Sequence, residues 1–201
     1  MDKAIEYLIA IDPVIDQLYN KYKKPYISTR PEGFETLCKL ILEQQVSLAS
    51  AKACYLRLKL FLGEITPTTI SKASSEDLNA NSVSRQKVIY LKALSNAILE
   101  KEIDLQTLSL KSSDEVRKEL IKIKGIGNWT IDVYLMFSLH KENVIPLGDI
   151  AIKNTIKELY SCSSDEQILE VSNKWKPYRT MASFFLWHYY LEKRNRKPLV
   201  Y

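Results

Sequence analysis

The sequence predicts an all-α protein, a two-lobed bundle of about ten short helices. Three observations carry that prediction. The 201 residues include only 5 Gly and 7 Pro, while Leu, Ile, Lys and Glu are abundant, a balance that favours helix. Apolar residues recur at helical spacing along nearly the whole chain, and no stretch alternates as a strand would. Residues that cap helices stand just before several of the periodic stretches.

The first stretch holds Ile5, Leu8, Ile9, Val14, Ile15 and Leu18, with a bend expected at Pro13. Lys21-Tyr22-Lys23-Lys24-Pro25 breaks the pattern. Phe34, Leu37, Cys38, Leu40 and Ile41 begin a second helix; Leu48, Ala51, Tyr55, Leu56, Leu58 and Leu60 mark a third, ended by Gly63 and Pro67. Short helical pieces are expected at about 67–72 and 75–80. Ser84 stands as N-cap to a long amphipathic helix through Val88, Ile89, Leu91, Leu94 and Ile98. Ser112-Ser113-Asp114-Glu115 is a capping box ahead of Val116, Leu120 and Ile121. After a glycine turn a helix is expected over about 129–139, then one opened by Asp149 over about 150–160, then two more near 164–175 and 180–192. The basic tail Lys193-Arg194-Asn195-Arg196-Lys197 is expected to be exposed.

With 46% hydrophobic and 26% charged residues, the chain reads as an ordinary globular protein, large enough to bury a core without disulfides or a structural metal. The net charge of +5 suits a polyanionic partner without requiring one. Cys38, Cys54 and Cys162 are odd in number and widely spaced, and are expected to be reduced and mostly in the core. No Cys-x-x-Cys pair supports a zinc or iron–sulfur site. The opening residues do not resemble a signal peptide, and no apolar run approaches the ~18 residues of a membrane span. A cytoplasmic protein without membrane contact is therefore expected.

Two places carry chemistry. The first is Ile121-Lys122-Ile123-Lys124-Gly125-Ile126-Gly127-Asn128-Trp129-Thr130. Glycines at Gly125 and Gly127 permit a positive φ and the close approach of another backbone, and Ile126 between them can plug the core. The amides from Gly127 to Trp129 would then head a helix, where a phosphate oxygen is readily held. The plainer reading is a turn that joins two helices. The second place is Asp149, after Gly148 and before an apolar helix. A carboxylate there is an ordinary N-cap.

The segment from Leu120 to Val133 resembles the hairpin of the helix-hairpin-helix DNA glycosylase superfamily. Trp129-Thr130 is most similar to the 3-methyladenine DNA glycosylase II branch, and the resemblance spans roughly residues 33–190. It implies one domain over 1–201, with a central lobe at about 33–130, a second lobe of N- and C-terminal helices, and a cleft between them. Branch members often carry an additional N-terminal β-domain, for which this chain has no room. The family's catalytic Asp falls on Asp149, about 20 residues after Trp129, so catalysis and capping are both open to it. Breaking an N-glycosidic bond develops positive charge on the sugar, which a fixed carboxylate stabilises.

Relatives that also nick DNA carry a nucleophilic Lys where this chain has Trp129, and an indole forms no Schiff base. The resemblance therefore implies a monofunctional hydrolase of alkylated purines that extrudes the base and uses water. The four-Cys cluster of the endonuclease III branch is missing. Trp175-Lys176-Pro177-Tyr178-Arg179 and the following Trp187 resemble the branch's C-terminal motif. Trp129 and Trp187 are thus candidates for the base pocket, where their faces would attract a cationic base, or else are core residues. A pocket aromatic of the family maps to Val133, while the adjacent Tyr134 faces elsewhere on the helix.

Glu43-Gln44-Gln45-Val46-Ser47 is similar to the family segment that inserts a wedge into DNA; the wedge position is Gln45, which otherwise is simply part of a polar turn with Ser47 as N-cap. Lys124, Gly125, Gly127 and Thr130 are the implied backbone contacts. No cofactor is required by the resemblance, although a structural Na+ or K+ is implied at the backbone carbonyls of Ile121, Ile123 and Ile126. The partner implied is double-stranded DNA bearing a damaged base, bound by a monomer, nucleoid-associated if the source is prokaryotic. A glycosylase for oxidised or deaminated bases, or a non-catalytic DNA-binding protein that keeps the hairpin, are the alternatives.

Overall fold

The structure, a computed structural model, describes residues 2–196. Among them are twelve α-helices, one short 3-10 helix and no strand. The chain begins with α1 (Asp2–Ile11) and α2 (Pro13–Tyr22). It continues through α3 (Phe34–Glu43), α4 (Leu48–Leu62), α5 (Pro67–Lys72), α6 (Ser75–Ala80) and α7 (Arg85–Leu99). The 3-10 helix Leu105–Leu110 precedes α8 (Ser113–Leu120) and α9 (Asn128–Phe137), and α10 (Ile150–Tyr160), α11 (Asp165–Lys174) and α12 (Arg179–Glu192) follow. Among the described residues no helix is long and apolar enough to cross a membrane. Lys193, Arg194 and Arg196 are exposed, while Lys197 lies outside the described residues.

The residues form two compact units. One is continuous, 30–139; the other joins 2–29 to 140–196. In the continuous unit α3 is the central helix. Leu37, Leu40 and Ile41 are fully buried, and α3 packs on α4, α7 and α9. The short α5 and α6 pack on α7. Side-chain caps set the helix starts: Ser84 accepts from the Lys87 amide, and Ser112 and Glu115 form a reciprocal capping box. Pro67 does not end α4, as expected from its ring. It occupies the first turn of α5 behind the Thr66 cap, where a missing N–H costs nothing.

In the discontinuous unit, α12 packs on α10 and α2, and α1 on α2. The bend expected at Pro13 is a full break and restart. Asp12 caps α2 by accepting from the amides of Val14 (2.9 Å) and Ile15 (3.2 Å) through Oδ1. Its other oxygen accepts from Trp175 Nε1 (2.7 Å) and Tyr160 OH (2.9 Å). Burial, then the Asp12 charge, holds the Tyr160 phenol well above its usual range. This split and the 3-10 helix raise the helix number above the ten expected. The three cysteines are free thiols. Only Cys38 is in the core, where burial pushes its thiol well up. Cys54 and Cys162 are partly exposed.

Candidate functional site

The continuous unit contains the hairpin. Helix α8 ends at Leu120, and the chain turns through bonds from the Ile123 amide to the Leu120 carbonyl (3.1 Å) and from the Ile126 amide to the Ile123 carbonyl (3.0 Å). Ile123 and Ile126 are buried and pin the turn to the core. The two glycines differ in what they require. Gly125 has φ 93°, and a β-carbon there would lie 2.0 Å from Cγ of Tyr90 on α7. Gly127 has φ −102°, a value open to any residue, and a β-carbon there would meet nothing within 4 Å. The close approach expected at both glycines therefore holds at Gly125 alone, and against a side chain rather than a backbone.

Gly127 is the N-cap of α9, and the Ile131 amide donates to its carbonyl at 3.1 Å. The amides ahead of Ile131 thus head the helix, on a side where Gly127, Asn128, Lys122 and Lys124 are exposed. Thr130 offers less than expected. Its side chain is 1% exposed, and its hydroxyl accepts a hydrogen bond from within the unit. What remains to it for an outside partner is its amide. Arg117 of α8 clamps the hairpin by donating to Asn128 Oδ1 (2.9 Å) and to the buried Asp132 carboxylate. Neither this clamp nor Tyr90 was evident in the sequence.

Gln45 lies in the turn between α3 and α4, exposed and left-handed at φ 57°. Val46 and Leu48 beside it are also exposed. Its neighbour Gln44 points the other way. The Gln44 amide nitrogen donates to the Gly125 carbonyl (2.9 Å) and to Thr130 Oγ1 (3.0 Å). The wedge candidate and the hairpin are therefore adjacent and linked. Behind Gln44, the buried Glu43 pairs with Arg30 at 2.9 Å, and Lys87 Nζ donates to the Leu42 carbonyl at 2.7 Å. Trp129, in the first turn of α9, is half-buried, whereas Val133 one turn on is buried. Tyr134 is fully buried, and its hydroxyl accepts from the Gly33 amide at 2.9 Å, away from the Val133 position.

The discontinuous unit contains Asp149 and Trp187. Asp149 is the N-cap of α10: Oδ1 accepts from the amides of Ala151 (2.8 Å) and Ile152 (3.1 Å). Two amides at the start of α10 thus fix one carboxylate oxygen. Trp187 is on α12, which packs on α10; it is half-buried, with Phe184 6.2 Å away between ring centroids. Of the Trp175-x-Pro-x-Arg motif, Trp175 is core. Arg179 holds the preceding loop, donating to Asn143 Oδ1 (2.8 Å) and to the Asn143 carbonyl (3.0 Å).

A capped helix, a glycine hairpin with outward amides and a second helix define a helix-hairpin-helix protein. The chain belongs to the HhH-GPD superfamily of base excision DNA repair proteins, whose family model matches residues 38–179. It is 32% identical over 165 residues to the Bacillus subtilis protein YfjP, provisionally named a DNA-3-methyladenine glycosylase, covering 77% of this chain and 58% of that protein. It is 29% identical to an alkylbase DNA glycosidase-like protein of Schizosaccharomyces pombe, covering 97% of this chain and 95% of the relative. The solved structure of a 3-methyladenine DNA glycosylase from S. pombe, in complex with abasic DNA, superposes with a TM-score of 0.82 at 28% identity, covering 92% of this chain and 95% of that one.

Proposed function

We propose that this protein is a monofunctional DNA glycosylase that excises alkylated purines of the 3-methyladenine type from double-stranded DNA, acting as a monomer in base excision repair. The single observation that carries the reading is the carboxylate of Asp149, fixed at the N-terminus of α10 in a chain of this family. Its catalytic role is to stabilise the positive charge that the sugar develops as the glycosidic bond lengthens, and to orient the attacking water. An alkylated purine is cationic and leaves without strong acid assistance, so most of the work lies in extrusion and positioning.

Trp129 and Trp187 supply aromatic faces for that cation. Gly127 and the amides that head α9 hold a backbone phosphate, with Lys124 adding charge, and Gln45 fills the space that the base vacates. The carbonyls of Ile121 and Ile126 accept none of the backbone bonds that close the turn, and Ile123 accepts one. These oxygens suit a Na+ or K+ ion, which when bound supplies positive charge beside the phosphate. Trp129 in place of a lysine means that water, not an enzyme amine, attacks the anomeric carbon as the base leaves, so the strand stays intact at an abasic site. The reaction belongs in the compartment that holds the chromosome, which is the cytoplasm if the source is prokaryotic.

The test is incubation with duplexes that each carry one defined lesion, followed by strand analysis with and without alkali. Breaks at alkylated purines only after alkali are expected. Direct nicking would overturn the assignment of a water-only reaction. Release of oxidised or deaminated bases alone would reassign the substrate. No release from any duplex, with Asp149→Asn binding DNA like the wild type, would leave a DNA-binding protein without catalysis.

A further inference from the structure

Gln44 is a short link between two parts of the site that are remote in sequence. Its single NH2 group spends both hydrogens on the hairpin, one on the Gly125 carbonyl at 2.9 Å and one on Thr130 Oγ1 at 3.0 Å. These partners lie 81 and 86 residues along the chain. Thr130 is buried, so water does not readily replace the bond. The next residue, Gln45, is left-handed at φ 57°, a conformation that an L-residue keeps only when its surroundings enforce it. Three contacts hold the segment: Gln44 on the hairpin, Glu43 on Arg30, and the Leu42 carbonyl on Lys87.

We propose that Gln44 is a positioning residue for base extrusion: by tying the α3–α4 turn to Gly125 and Thr130, it holds the Gln45 side chain at a fixed place relative to the hairpin amides. The inference rests on the reading of Gln45 as the residue that fills the duplex. A wedge is useful only if it enters where the phosphate grip puts the target nucleotide, and a displacement of about an ångström is enough to lose catalysis. Two flexible connections would not keep that spacing; one carboxamide bonded to both does.

The experiment compares the wild type with Gln44→Met, Gln45→Ala and the double variant. Met keeps the length of the side chain and removes both donors. Two readouts are taken with excess protein: release of 3-methyladenine from a duplex, and fluorescence of 2-aminopurine placed in a duplex, which reports unstacking without bond cleavage. The affinity for undamaged duplex and the melting temperature are measured on the same samples. Gln44→Met is expected to slow release about tenfold and to lower the 2-aminopurine signal, leaving duplex affinity within about twofold. Added to Gln45→Ala it should change either readout by less than about twofold, because it acts through Gln45.

Wild-type behaviour of Gln44→Met, penalties that multiply in the double variant, or loss of duplex affinity in step with release would each overturn the proposal. If Gln44→Met does not fold, Thr130→Val removes one acceptor, leaves the Gly125 bond, and enters the same comparison. A wild type that releases no 3-methyladenine defeats the functional reading, while the 2-aminopurine comparison still decides on Gln44.

Discussion

The α-carbon of Gly125 rests against the ring of Tyr90, so closely that a β-carbon built there would lie 2.0 Å from Cγ, 2.4 Å from Cδ1 and 2.5 Å from Cβ. Tyr90 is half-buried on α7, and its hydroxyl accepts from Gln86 Nε2 at 2.5 Å. The hairpin thus leans on a ring that is itself held, and with φ 93° at Gly125 no other residue fits without moving one of them.

The two hairpin glycines should separate under mutation. Gly125→Ala is expected to destabilise the fold by about 2–4 kcal/mol, from overpacking plus a left-handed alanine. Gly127→Ala, with open space and φ −102°, should change stability by less than about 1 kcal/mol. It should nevertheless weaken duplex binding if the α9 amides hold a phosphate as proposed, because its methyl group would stand on that face. Thermal unfolding and a DNA titration at fixed salt measure both effects. Equal loss of stability in the two variants would contradict this account.

Asp149→Asn separates capping from catalysis. Asn caps a helix about as well as Asp, so the melting temperature should stay within a few degrees. Release of an alkylated base should fall at least about a hundredfold, the order seen when a stabiliser of transition-state charge is lost. Retained release with Asn at this position would remove Asp149 from the reaction.

Much of this was legible in the sequence for a physical reason. Caps and hydrophobic spacing are local, so the starts at Ser84, Ser112 and Asp149 and the short helices α5 and α6 could be read directly. The 3-10 helix Leu105–Leu110 was missed because its tighter turn, about three residues rather than 3.6, does not give the α-helical spacing of apolar residues. Pro67 was misassigned because a proline that ends one helix and one that starts the next look alike until Thr66 is seen to cap α5. The supports of the site could not be read at all. Gln44 to Gly125, Tyr90 to Gly125 and Arg117 to Asp132 are contacts between separate elements, and no local pattern announces them.

Trp187 should discriminate lesions by charge. Trp187→Ala is expected to slow release of a cationic alkylated purine by about three- to thirtyfold, the range of one cation–π contact. Release of a neutral base such as hypoxanthine, if the protein accepts it, should fall less. Parallel single-turnover assays on the two lesions check this, and equal losses would assign Trp187 to packing.

Acid should loosen the start of α8. The Ser112 hydroxyl (2.6 Å) and amide (2.8 Å) donate to Glu115 Oε2, and these bonds hold the Glu115 carboxyl below its usual 4.5. The unfolded chain therefore takes up this proton before the folded one does. The stabilisation is present above about pH 4.5 and is lost as the pH falls through the lower, folded value. Gln at this position also completes a capping box and does not titrate. The gap in urea midpoint between the wild type and Glu115→Gln should accordingly narrow between about pH 6 and about pH 3. A constant gap would mean that Glu115 contributes nothing through its charge.

Asp12 accepts hydrogen bonds from groups both near to it and far from it along the chain. The amides that it caps, of Val14 and Ile15, are two and three residues away, but Tyr160 and Trp175 lie 148 and 163 residues downstream. At ribosomal speeds of roughly 5–20 residues per second, those partners leave the tunnel on the order of ten seconds or more after Asp12 does. During that interval α1 and α2 have a completed cap and an incomplete core, and by its end every residue of the 30–139 unit has been synthesised. The order of synthesis therefore lets the hairpin unit gather its own contacts first and leaves the opening helices to be docked last, by the tyrosine and tryptophan that the carboxylate has been waiting for.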